Sequence, residues 1–311
     1  MGAFVEADPK RATCAVIVTY HPDPAELPEV IARIAPQAHR VFIIDNASPP
    51  AHLQQALPAP LPDGVDVIRS ATNDGLGRAY NRGAQLARQA GCRFVLLMDQ
   101  DSVVAPDLVA RLVDAHAQLK ADARVGAVGA AFIDAHTGHP APFVRIGFPL
   151  NRKIPAPERG CVECDFLISS GSLIELDVLD AVGGMDEALF IDNVDLEWSF
   201  RARASGYRLF GVGDARMTHR IGHTVRRLPL GLGDVVVHAP VRLYYMMRNR
   251  VLLYGRPQTP RVWIAQDLPR LALKLARLSL FVQPRRRNFR AMVSGLLDGL
   301  RGRSGPCTRI L

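Results

Sequence analysis

The sequence predicts an α/β protein: a mostly parallel, Rossmann-like sheet flanked by helices, with a C-terminal helical extension. Three observations carry that expectation. Short β-branched apolar runs alternate with longer helix-like segments from Cys14 to Val212, the pattern of strands joined by crossover helices. Two early runs, Cys14–Tyr20 and Arg40–Asp45, are almost continuously apolar, as strands are when helices cover both sheet faces. From Val241 onward the helical period dominates and arginine is dense.

The elements follow in order. The first strand, Cys14–Tyr20, stops at His21-Pro-Asp-Pro24, where two prolines and an aspartate force a turn. A helix over Leu27–Ile34 leads into the second strand, Arg40–Asp45. Val65–Arg69 reads as a third strand, Leu76–Gln89 as a helix, and Phe94–Met98 as a fourth strand ending directly at Asp99. Thr137–Pro157 is rich in proline and glycine and reads as a loop. Phe166–Leu176 reads as a strand, Val194–Ser205 as a helix and Tyr207–Val212 as a strand. Trp263–Val282 is an amphipathic helix with Arg270, Lys274 and Arg277 opposite its apolar side, ending before Pro284-Arg-Arg-Arg287. The expected organisation is a catalytic domain over 12–240, with a nucleotide-binding half of about 12–102 and an acceptor half of about 103–240. A basic, mainly helical extension follows over 241–311.

Composition narrows the class. The chain has 311 residues, is 48% hydrophobic and 22% charged, and carries a formal net charge of +8. That is a globular composition, and the basic excess suits a phosphorylated substrate, an anionic membrane surface or nucleic acid. Nucleic acid is disfavoured, because the basic residues have no interleaved aromatic platform. Five scattered cysteines without a secretory leader suit a reducing cytosol, and the single Cys161-x-x-Cys164 without a second pair reads as ordinary thiols. No apolar stretch reaches spanning length, so a cytoplasmic protein is expected.

The carboxylates fall where chemistry is expected. Asp45 and Asp99 each follow an apolar strand, at the carboxyl edge where open α/β sheets bind ligands. Asp99-Gln-Asp101 sets two carboxylates around one residue, a hard oxygen pair suited to Mg²⁺ or Mn²⁺ bridging a diphosphate. Asn73-Asp-Gly75-Leu-Gly77-Arg78 precedes a helix, so its glycines permit close backbone approach and the new N-terminus favours anions. Asp192, Asp195 and Glu197 crowd Phe190–Trp198, and acids that close together call for a cation, a basic partner or a raised pKa.

Taken together, these segments resemble the inverting glycosyltransferases of family 2, which have the GT-A fold, over about Cys14–Tyr254. The rhamnosyltransferase branch that uses dTDP-L-rhamnose is the most similar. The resemblance rests on Val18-Thr-Tyr20, Asp45-Asn46, Asn73–Asn81, Leu97-Met-Asp-Gln-Asp-Ser102, Phe166-Leu-Ile-Ser-Ser-Gly171, Phe190–Glu197 and His219-Arg-Ile-Gly222. It implies that Thr19, Tyr20, Asp45, Asn73, Gly75, Arg78 and Asp99 meet the donor nucleotide. It also implies that Asp101, with Asp99 and His219, holds the metal. Ser170, Gly171, Trp198 and Arg248 are implied at the donor sugar or acceptor, and Asp195 as the base with Glu197 beside it. Many members carry a Glu-Asp pair where this chain has Val194-Asp195, so Asp192 stays a rival base.

The implied reaction is a single in-line displacement, in which an acceptor hydroxyl gives its proton to Asp195 and attacks the anomeric carbon. The implied acceptor is a glycolipid, or a lipid-linked or cell-surface polysaccharide precursor. The basic C-terminal helices fit peripheral contact with the anionic cytoplasmic face of an inner membrane. A UDP- or GDP-sugar donor on the same fold is the alternative, and a non-catalytic nucleotide-sugar-binding protein is a remoter one.

Overall fold

A computed structural model of the chain describes residues 8–134, 138–219, 224–227 and 234–308. After a one-turn helix α1 (Pro9–Ala12), the chain alternates as expected: β1 (Thr13–Thr19), α2 (Leu27–Ile34), β2 (Arg40–Asp45), α3 (Pro50–Ala56), β3 (Val65–Arg69), α4 (Leu76–Gln89) and β4 (Phe94–Asp99). A short β5 (Ser102–Val104), helix α5 (Leu108–Lys120) and a long β6 (Val125–Asp134) follow. Three brief strands come next, β7 (Phe143–Arg145), β8 (Arg152–Ile154) and β9 (Cys161–Cys164), then β10 (Ser172–Glu175), α6 (Leu176–Val182), α7 (Val194–Ala204) and β11 (Arg208–His219). The chain closes with a hairpin, β12 (Thr224–Arg227) and β13 (Asp234–Val237), and helices α8 (Pro240–Tyr254), α9 (Arg261–Phe281) and α10 (Arg285–Leu300).

The main sheet runs β3-β2-β1-β4-β10-β6-β11-β5, with β9 paired to the outside of β11. Its first four strands are parallel, while β10 runs antiparallel between β4 and β6. All seven residues of β1 are buried. Cys14, Val16 and Val18 face the layer containing α4 and α7, and Ala15 and Ile17 face the layer containing α2 and α5. Burial on both faces is why the strand reads as an unbroken apolar run. Each fully buried Ile or Leu contributes about 1.5–3 kcal/mol, so these two layers fix the sheet on which the site stands.

Three expectations need correcting. The 137–157 loop contains the β7–β8 hairpin in its described part. The Phe166–Leu176 strand shrinks to Ser172–Glu175 because the chain turns at Gly171, whose φ of +78° breaks the extended run. The expectation of reduced thiols holds for Cys161 and Cys164, and burial pushes the Cys164 thiol up to about 12. Cys14 and Cys92, however, form a disulfide, since β1 starts beside the turn after α4 and their Cα atoms lie 6.0 Å apart.

Candidate active site

The parallel register sets Thr19 beside Asp45 and Val18 beside Asp99, so three strand ends meet at one edge. Above that edge opens a cleft of about 1270 Å³. Asp99 and Asp101 line one side, Asp192 and Asp195 the other, with Tyr20, Asn73, Gly75 and Arg242 completing the wall.

Asp99 is oriented from behind. The Tyr80 hydroxyl, on buried α4, donates to its Oδ1 at 2.8 Å, while the Asp99 backbone N–H donates to Ser170 Oγ at 3.1 Å. Burial and the Asp99 charge together push the Tyr80 phenol well above its usual pKa, so it stays a donor. Ser170 in turn donates to Ser102 Oγ at 2.7 Å. The Tyr20 rim is fixed by Gln100, whose Oε1 accepts from Tyr20 N at 2.8 Å. β5 pairs Ser102 with His219, so the backbone of the predicted histidine ligand runs next to the residue after Asp101. The His219 side chain and residues 220–222 lie outside the described residues.

Asp195 stands in the first turn of α7, with its Oδ1 accepting from Leu196 N at 2.8 Å. Burial first, then the Asp99 and Asp192 charges, raise its carboxyl to about 6 against the opposing backbone N–H groups of Leu196 and Ser169. A carboxylate with a pKa near neutrality suits a general base. Asp192 is differently placed, because Arg242 from α8 grips its carboxylate at 3.2–3.3 Å. Burial presses the Arg242 pKa down most strongly, yet Asp192, then Asp99 and Asp101, more than reverse that and leave it raised.

The turn presenting these acids is strained: Phe190, Asp192 and Asn193 have φ of +66°, +65° and +62°. Such residues persist only where their surroundings over-determine them. Here Asn249 of α8 donates to the carbonyls of Leu189, Ile191 and Asp192 at 2.7–2.9 Å. Leu76 N donates to Phe190 O at 2.6 Å, and Phe190 stacks on Tyr245 at 4.9 Å. Gly75, at φ +88°, is required there, since a Cβ would lie 2.6 Å from Phe190 O.

The other predicted residues are distributed unevenly. Tyr20, Asn73, Gly75, Asp99, Asp101, Asp192 and Asp195 come together in the cleft. Thr19 and Asp45 are wholly buried beneath it, with the Asp45 carboxylate accepting from Thr19 Oγ1, Ser48 N and Ser48 Oγ. Ser170 and Gly171 are packed below the surface, where a Cβ on Gly171 would meet Met217 Sδ at 2.6 Å. Arg78 points outward to Glu187 and Asp74.

Three assignments move away from the cleft. Glu197 is 1% exposed and taken up by Arg201 and Arg256, because it lies about 200° around α7 from Asp195. Trp198 is a core residue whose indole donates to Gly183 O. Arg248 is 1% exposed and donates to Leu189 O at 2.9 Å, supporting the strained turn from below. Sequence reasoning missed Arg242, Tyr80 and Gln100. Only the Tyr80 signal was available in advance, as a polar-tipped aromatic on the buried side of α4.

Among the described residues no three His, Cys, Asp or Glu side chains converge as a metal cage. The Asp99–Asp101 pair suits a hard divalent ion that takes its remaining ligands from substrate phosphates and water. No helix among the described residues is long and apolar enough to cross a membrane.

Comparison with known proteins agrees with this arrangement. The model described as "Glycosyl transferase family 2" matches residues 14–177. The chain is 29% identical over 298 residues to the dTDP-rhamnosyl transferase RfbF of Shigella flexneri, covering 94% of this chain and 96% of that protein. Among solved structures, GalNAc-T7 with UDP, GalNAc and Mn²⁺ superposes with a TM-score of 0.58 at 16% identity; it covers 93% of this chain, which spans 56% of that one. TarS 1-349 of S. aureus superposes with a TM-score of 0.55 at 16% identity, covering 92% of this chain and 80% of that one. The sheet and its flanking helices have the GT-A architecture of these neighbours, and the chain belongs to glycosyl transferase family 2.

Proposed function

We propose that the enzyme transfers L-rhamnose from dTDP-L-rhamnose to a hydroxyl of a glycolipid or lipid-linked polysaccharide precursor, with inversion. The observation that carries the donor is the similarity to RfbF over nearly the whole of both chains. The carboxylate-lined cleft supports the chemistry. In this reading Asp101 and Asp99, with His219, hold Mg²⁺ or Mn²⁺. A bound divalent ion supplies charge neutralisation for the departing nucleoside diphosphate. Arg242, on the Asp192 side of the cleft, adds a fixed positive charge and keeps that carboxylate paired, which leaves Asp195 as the base. Asp195 takes the acceptor's proton as the hydroxyl oxygen bonds to the anomeric carbon and the bond to the diphosphate oxygen breaks. Thr19, Asp45, Ser170 and Gly171 shape the edge from beneath it.

We place the enzyme in the cytoplasm, with peripheral contact at an anionic membrane face. Leu268, Leu273 and Leu280 of α9 are each more than half exposed and would supply the apolar part of that contact. Retention on anionic liposomes at low salt is the expected result, and its absence removes the membrane part alone.

The test of the donor is nucleoside diphosphate release from a panel of nucleotide sugars with and without Mn²⁺ or Mg²⁺. Slow hydrolysis of dTDP-L-rhamnose, abolished by EDTA and by Asp101→Ala, is expected. Preference for a UDP- or GDP-sugar would reject rhamnose while leaving the cleft chemistry in place.

A further inference from the structure

Asp195, Asn193 and Ile168 line two spaces, not one. On the side away from Asp99 and Asp101 they border a second pocket of about 960 Å³, which reaches α8 and α9. Its polar lining sets the donors Arg250, Arg270, Lys274 and Asn193 against the carboxylates of Asp195 and Asp267, the latter already taken up by Arg250 and Tyr254. Arg250 Nε, Asn193 Nδ2 and Asn151 Oδ1 are buried there without hydrogen-bond partners. Lys274 is half-buried and makes no hydrogen bond or ion pair among the described residues, although Arg250 and Tyr254 both engage Asp267 nearby. Unpaired buried donors carry a desolvation penalty, and a site that collects several of them against one cavity is shaped for a ligand that satisfies them.

We infer that this second pocket is the acceptor site and that it takes an anionic sugar, with a hydroxyl turned to Asp195 and the charged group held by Lys274 and Arg270. The inference rests on Asp195 being the base, and it adds the acceptor's charge and the residues that read it. Charge balance supports it. Burial first, then the charges of Arg250 and Arg242, lower the Lys274 ammonium to about 8, with Asp192 and Asp267 offsetting only part of the fall. An anion entering the pocket would relieve that crowding. Asn151 Oδ1 offers an acceptor to a neighbouring sugar hydroxyl, and Phe166 and Trp263 give the apolar wall on which a sugar ring packs. Lys274 and Arg270 of α9 border the cavity, while Leu268, Leu273 and Leu280 are more than half exposed.

The chain has four lysines, Lys10, Lys120, Lys153 and Lys274, so ¹³C-methylation of the folded protein gives a readable NMR spectrum. Lys274→Arg assigns its signal by removing it. The protein is titrated with glucose 1-phosphate, glucuronate and neutral glucose, in the presence of dTDP and Mg²⁺. The expected result is that the Lys274 signal, titrating near 8, moves up by about one pH unit or more with an anionic sugar and not with glucose. Response to the phosphate or to the carboxylate identifies which anion the acceptor carries. No response to either, or an equal response to glucose, overturns the inference. Calorimetric binding of dTDP to the same sample reports the donor cleft separately, so failure of the donor reading is distinguishable from failure of the acceptor pocket.

Discussion

Asp195→Asn should inactivate the enzyme and stabilise it. The Asp195 carboxyl, raised from 3.8 to about 6 chiefly by burial, resists ionisation in the folded chain. A folded pKa above the unfolded one means the stabilising contribution is fully present below 3.8 and is lost as pH rises through 6. Above that pH the folded protein carries a charge in a poorly solvated place, at a ceiling of about 3 kcal/mol for that shift. The cleft side of the carboxylate meets water, so a gain of about 1–2 kcal/mol on neutralisation is the working figure. At 311 residues that corresponds to an increase in Tm of roughly 1.5–3 °C.

The assay is a pair of melting curves for wild type and Asp195→Asn, at pH 8 and pH 5, in EDTA and without donor. The stabilisation should be full at pH 8 and fall to about half at pH 5, where the wild-type group is protonated in the folded chain but still ionised in the unfolded one. Turnover should fall by about 10²-fold or more, the usual worth of a general base. In the wild type, kcat/KM should rise with pH through an acid limb near 6. An equal or lower Tm at pH 8 would refute the desolvation argument. Near-normal turnover in a folded variant would refute the base.

Two further substitutions probe the surroundings of that carboxylate. Arg242→Ala removes the cation gripping Asp192, so donor KM should rise about 10-fold from the lost charge-assisted contact. The acid limb of the pH profile should also move above 6, because an unpaired Asp192 adds to the negative field on Asp195; steady-state kinetics across pH read both. Asn249→Ala strips the donor shared by three carbonyls of the strained turn, and a buried acceptor left unsatisfied costs about 1–3 kcal/mol. Chemical denaturation should show a loss at least that large, together with a fall in kcat exceeding any change in dTDP affinity.

The sequence was most legible where both strand faces are buried, because continuous apolar runs identify β1, β2 and β4 whatever their neighbours are. It was least legible at β6, whose Val125-Gly-Ala-Val-Gly-Ala-Ala run has little strand propensity. Small residues are needed there by packing: a Cβ on Gly129 would lie 2.6 Å from Leu167 Cδ2. The site followed the same division. Asp99 and Asp101 could be placed from the end of β4, since a strand end fixes the edge. Glu197 and Arg248 could not, because helix spacing tells which residues share a face but not which face meets the cleft. Arg242 and Arg248 lie six positions apart on α8, and packing alone decides that the first reaches Asp192 while the second is buried.

The segment matched to the family ends at residue 177, so it contains Asp99 and Asp101 but neither Asp195 nor Arg242. The proposed base sits on a turn with three left-handed non-glycine residues, each costing on the order of 1–3 kcal/mol, and α8 holds that turn through Asn249, Arg248 and Tyr245. Helix α8 is itself held by α10, where Gly295 packs so closely on α8 that a Cβ would lie 2.3 Å from Tyr244 O. The C-terminal helices are therefore part of the active-site scaffold: α8 sets the position of the acids and supplies Arg242, and α9 forms the far wall of the pocket behind Asp195. A damaged α8–α10 contact should leave the donor edge folded on its two core layers while the base turn relaxes, so catalysis should fail before nucleotide binding does.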